Sequence, residues 1–125
     1  MNLNEKSVLI TASFGPDHAE RAPAPFLFAT EAAKLGAQVG ICFVLQAPLL
    51  LKQGAAEGLV AKPGGRKIRE FINEALAAGV TLYVCDAALA LCDMTPEDLI
   101  EEVEDLVGPS FPITKGLASD LVLCF

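Results

Sequence analysis

Apolar and polar positions along this chain switch between a period of two and a period near 3.6. Residues 7–12 (SVLITA) form a short β-branched run bounded by polar residues and Gly15-Pro16, which predicts a first strand. Residues 14–21 (FGPDHAER) predict a loop. Pro23 and Pro25 then open a helix that reaches about Leu35, with Gly36 as its stop. Residues 39–45 (VGICFVL) are apolar throughout and too few for a lone helix, so they predict a strand covered on both faces. Residues 48–52 predict one helical turn, and the glycine-rich residues 54–65 predict mostly loop.

The strongest periodicity follows. Ile68, Phe71, Ile72, Ala75 and Leu76 fall on one helical stripe within residues 66–78, and Gly79 ends it as a left-handed cap. Residues 80–84 (VTLYV) predict a third strand with Cys85 at its carboxyl end, and residues 86–91 (DAALAL) predict a helix. Thr95-Pro96-Glu97-Asp98 has the composition of a helix start. The helical period continues through Leu99, Ile100, Val103, Leu106 and Val107 to Gly108, with a short strand near Val103 as the competing reading. Residues 112–119 predict a short helix and residues 121–124 (LVLC) a closing strand.

Strands separated by helices predict an α/β fold, a three-layer α/β/α sandwich on a largely parallel sheet of about five strands. Ligands and chemistry gather beyond the carboxyl ends of the strands in such sheets. Residues 15–21, the segment after Leu45, and Cys85 onward all fall there. The 125 residues suit one domain with an ordinary core.

Charge and composition narrow the function. Nine basic against sixteen acidic residues give a net charge of −7, which argues against a nucleic-acid groove. Lys62, Arg66, Lys67 and Arg69 cluster, but their spacing fits the solvated start of a helix, and residues 101–105 (EEVED) read as a solvated acidic face. Residues 1–6 carry no targeting pattern, and the longest apolar stretch, residues 39–51, is interrupted by Gln46 and Pro48 and is too short for a bilayer. The expectation is a cytoplasmic protein with no membrane contact. The hydrophobic set makes up 53% of the chain, rising to about 60% with glycine against the usual 45–50%, so apolar surface is expected to be buried against other subunits.

The four cysteines contain no CxxC pair and stand with a single histidine, so no four-ligand zinc site is expected. Cys85 stands out. A thiol at a helix N-terminus meets donated backbone N–H groups, which favour the nucleophilic thiolate, whereas the adjacent Asp86 opposes it. The plain alternative is a small buried hydrophobe at a strand end. Cys92 lies about 10 Å along the axis if the intervening residues are helical, beyond the reach of a direct disulfide. Cys42 and Cys124 sit in apolar strand runs and read as core. His18 is placed at the sheet edge shared with Cys85, where an imidazole carries protons. With Asp17 and Glu20 it also has the look of a metal triplet, although such a loop is more often a solvated turn. No GxxxxGK[ST], GxGxxG or GxSxG motif occurs, and no cofactor or metal is implied.

Three stretches together resemble the DsrE/DsrF-like family, small sulfur-handling proteins that include the sulfur-relay subunits related to TusD. The strand followed by Gly15-Pro16-Asp17 and Glu20-Arg21 is similar to the family's GPDxxER opening. Leu51-Lys52-Gln53-Gly54 with Glu57-Gly58 is similar to its KG…EG segment, and residues 78–85 followed by Asp98-Leu99-Ile100 to its GVxxxVC…DLI. The resemblance implies an α/β/α fold assembled as a homo-oligomer, a trimer or hexamer with apolar interfaces. It also implies that Cys85 accepts sulfane sulfur as a persulfide and passes it between sulfur donor and acceptor proteins. Where family members often place glycine after the cysteine and near the next turn, this chain has Asp86 and Cys92. Two other readings stand beside the sulfur carrier: a non-catalytic oligomeric binding or assembly subunit using the same strand-end cleft, and a thiol peroxidase, for which no supporting threonine and arginine can be placed.

Overall fold

The computed structural model describes residues 1–125. Five strands form one parallel sheet: β1 (Ser7–Ala12), β2 (Gln38–Phe43), β3 (Thr81–Cys85), β4 (Asp105–Val107) and β5 (Leu121–Cys124), in the spatial order β4-β3-β2-β1-β5. The helices are α1 (Pro23–Lys34), α2 (Ile68–Ala77), α3 (Asp86–Leu91) and α4 (Ser110–Leu117). This is the three-layer α/β/α arrangement expected from alternating strands and helices.

The two faces of the sheet are covered unequally. Val8, Ile10, Ile41, Phe43, Leu82 and Val84 project from one face into a core closed by Phe26 and Ala29 of α1 and by Ile68 and Ile72 of α2. Each such large side chain contributes about 1.5–3 kcal/mol when fully buried. The other face is served by α4, none of whose residues is buried; its Phe111 packs on Tyr83 with ring centroids 4.6 Å apart. β2 lies between β1 and β3, which explains the apolar run Val39–Phe43 that makes up all of it but its exposed first residue, Gln38. Gly36 and Gly79 end α1 and α2 at φ +108° and +93°, the left-handed conformation that favours glycine.

Three expectations are corrected. Residues 16–21, expected as loop, form a tight 3-10 segment with a kink at His18. The helix expected from Thr95 to Gly108 is absent. Its capping signal is real, since the Thr95 N–H donates to Asp98 Oδ2 at 2.8 Å, but only the 3-10 turn Pro96–Asp98 follows. The chain is then fastened in extended form: the Ile100 N–H donates to the Leu51 carbonyl at 2.9 Å, and Gln53 Nε2 donates to the Glu97 and Leu99 carbonyls. β4 beyond it pairs with β3, whose edge a helix there would have left open. The short-strand alternative is therefore the right one, shifted to Asp105–Val107. Third, Cys124 is exposed rather than core, because β5 is an edge strand. The basic residues are superficial, with Arg66 paired to Glu70 and Glu74, and Arg69 to Glu102. No helix is long and apolar enough to cross a membrane.

Candidate functional site

Cys85 is the last residue of β3 and the N-cap of α3, so the backbone turns from strand to helix at the thiol. It stands opposite Val107 of β4 and is 8% exposed. α3 has only six residues, so its dipole adds little beyond its first-turn amides, which no side chain caps. Asp86, the first residue of that turn, is exposed.

A second thiol lies close by. Cys42 of β2 is the register partner of Tyr83, and side chains two residues apart on a strand share a face, so Cys42, Tyr83 and Cys85 occupy the same side of the sheet. Cys42 is fully buried. Burial, and then the charge of Cys85, push its thiol up to about 11 from the ordinary 9.0. Cys42 is therefore a neutral thiol near neutral pH. The coupling was not legible in the sequence, where the two cysteines lie far apart.

Cys92 caps the other end of α3, and its Sγ–H donates to the Leu45 carbonyl at 3.3 Å. Burial, and then the neighbouring Asp93 carboxylate, raise this thiol above its usual range. With α3 helical between them, Cys85 and Cys92 are separated by about 10 Å along the axis, which precludes a direct disulfide. All four cysteines are free. Leu45, the acceptor, and Asp93, which follows Cys92, have φ +52° and +54°, unusual for side-chain-bearing residues.

His18 is held within its own loop. Its ring meets Phe14 edge-on at 5.2 Å between centroids, with Arg21 over the Phe14 ring at 4.6 Å, and Nδ1 lies 3.6 Å from Glu20 Oε1. No hydrogen bond joins it to Cys85, and Asp17, also exposed, makes none to either residue. Asp17, His18 and Glu20 do not converge as a metal-holding group. Gly15 brings this loop against the one after β2: a Cβ there would stand 2.7 Å from the Gln46 carbonyl oxygen.

A cleft of about 300 Å³ lies elsewhere, at the amino ends of the strands, and is lined in part by Ser7, Gln38, Thr81, Tyr83 and Lys115. It contains no thiol. Cys85, slightly exposed at the end of β3, and the buried Cys42 lie instead on one side of the sheet, away from this cleft.

Comparison with known proteins gives a consistent frame. The model of the DsrE/DsrF-like family matches residues 6–115. No curated protein matches. Among solved structures, the ychN protein of E. coli superposes with a TM-score of 0.78 at 19% identity, covering 96% of this chain and 99% of that one. A protein of unknown function from Methanobacterium thermoautotrophicum superposes with a TM-score of 0.64 at 13% identity, covering 96% and 98%.

Proposed function

The chain belongs to the DsrE/DsrF-like family, and from that membership together with the place of Cys85 we propose that it is a cytoplasmic sulfur carrier or sulfurtransferase. The observation that carries the reading is a free thiol ending a central-sheet strand at the carboxyl edge, within the matched region. The Cys85 thiolate attacks the outer sulfur of a donor persulfide. The bond between the donor's two sulfurs breaks, the donor leaves as a thiolate, and Cys85 holds the sulfur as a persulfide. An acceptor thiolate then attacks that terminal sulfur and Cys85 departs as a thiolate, so no external oxidant or reductant is consumed.

Intact-protein mass spectrometry after exposure to polysulfide, with a Cys85→Ser variant alongside, tests this. The expected result is the mass of one or more sulfur atoms added to the wild type, removed by reductant and absent from the variant. Equal loading of the variant, or none on either protein, would overturn it. The slight exposure of Cys85 favours a second reading, a binding or assembly subunit that performs no chemistry. A small ligand retained at the carboxyl edge, with a thiol inert to alkylation, would support it.

A further inference from the structure

The cleft at the amino ends of the strands takes no part in the sulfur chemistry, and its walls are fixed by specific packing. By strand register and alternation, Ser7, Gln38, Gly40, Thr81 and Tyr83 share the face of the sheet that carries Cys42 and Cys85, but lie toward its amino end. Gly40 leaves a gap in the middle of β2 into which the Tyr83 ring leans, since a Cβ there would stand 3.0 Å from Tyr83 Cε2. Phe111 of α4 packs on the same ring, so Tyr83 forms a fixed aromatic wall. From Phe111, α4 runs toward the amino ends of the strands, where Gly116 faces Leu9 and Val122. One turn beyond Phe111 it brings Lys115 to the cleft.

Lys115 is the one charged residue lining the cleft, and it forms no ion pair within the chain. The side chains of Gln38, Thr81 and Tyr83 make no hydrogen bond within the chain, and none of their polar atoms is sealed from solvent. Asp120, at the head of β5, is turned to Ser7, accepting from its N–H at 2.9 Å and its hydroxyl at 3.4 Å. We propose that this cleft binds a small aromatic monocarboxylate. Its carboxylate meets the Lys115 ammonium and the Thr81 hydroxyl, and its ring lies beside Tyr83 over the bare backbone at Gly40. A single unpaired cation selects a single negative charge. The volume of about 300 Å³ stands at the lower end of organic-ligand pockets, and a bare inorganic oxyanion would leave most of it empty. The flat floor at Gly40 and the aromatic wall at Tyr83 favour a planar body. Cys85 ends the strand on which Thr81 is the first residue, roughly 13 Å away, so an occupied cleft leaves the thiol open.

Benzoate is the probe, and benzamide, of the same shape without the charge, is its control. Titrated at low salt into the full-length, isotope-labelled chain, benzoate is expected to shift the amide signals of residues 38–40 and 81–83 saturably, with a Kd on the order of 1 mM. Benzamide on the wild type, and benzoate on Lys115→Gln, are each expected to bind at least about tenfold more weakly, as the loss of a charge-assisted hydrogen bond requires. Thr81→Val is the companion variant, expected to weaken benzoate at least about threefold. Lys115 is exposed, and unchanged signals away from the cleft verify that each variant is folded. The absence of saturable shifts up to about 20 mM benzoate would overturn the proposal. So would equal binding of benzamide, undiminished binding to folded Lys115→Gln, or shifts gathered at residues 85–92 instead. Sulfur loading on Cys85 is read separately, so either idea can fail alone.

Discussion

The Cys92 thiol donates its hydrogen to the Leu45 carbonyl, 3.3 Å away, and thereby ties the end of α3 to the segment leaving β2. Cys92 has a positional task that leaves it out of reach of Cys85.

Cys92→Ala is accordingly expected to cost about 0.5–1 kcal/mol, the usual worth of one hydrogen bond, and to leave sulfur loading on Cys85 unchanged. Urea denaturation and mass spectrometry of the same sample measure the two effects. A variant that no longer loads would make Cys92 a reacting thiol.

Stability is expected to fall between about pH 9 and pH 11. Cys42 in the fold holds its proton up to about 11, whereas in the unfolded chain it loses it near 9.0. The unfolded state therefore binds fewer protons across that window, so the free energy of unfolding decreases as pH rises. The loss attributable to this thiol is about 2 kcal/mol. Cys42→Ala removes it, and the difference between the two denaturation profiles from pH 8 to 11 reads this thiol together with its coupling to Cys85.

Asp86 stands exposed next to Cys85 and repels anions approaching the thiol. At roughly 7 Å in water the interaction is about 0.6 kcal/mol, so Asp86→Asn is expected to speed alkylation by anionic iodoacetate about two- to threefold relative to neutral iodoacetamide. The advantage should shrink in high salt. A ratio unchanged by the substitution would mean that the carboxylate does not face the path to the sulfur.

Gly15→Ala would push a methyl group to within 2.7 Å of the Gln46 carbonyl oxygen, so the two carboxyl-edge loops must separate. The expected cost is about 1–3 kcal/mol, with chemical-shift changes confined to residues 13–18 and 44–47. Thermal unfolding and two-dimensional NMR measure them.

Much of this architecture is written in local pattern. Ser7–Ala12 is bounded by polar residues and a turn, Leu121–Cys124 follows Ser119-Asp120, and both strands have the limits that their sequence runs predict. Position 85 is legible for the same reason, since a strand run followed by an alanine-rich helical run places the thiol at their junction. Residues 99–107 mislead because Leu99, Ile100 and Val103 have helical spacing. Their conformation is decided instead by Leu51 and Gln53, about fifty residues earlier. Cys124 misleads because an apolar run reads alike for a central strand and for an edge. The nearness of Cys42 to Cys85 and the bond from Cys92 to Leu45 are products of register and loop geometry, with no local signature.

The position of β1 between β2 and β5 bears on how the molecule folds. Its partner on one side follows after a single helix, but on the other Ser7 waits for Asp120, 113 residues away. Pairing of β1 with β2 is therefore cheap in loop entropy and early, and pairing with β5 is costly and late. Until that last step, β1 presents an open apolar edge. Folding yield should accordingly fall with protein concentration during refolding, even though the finished sheet is stable.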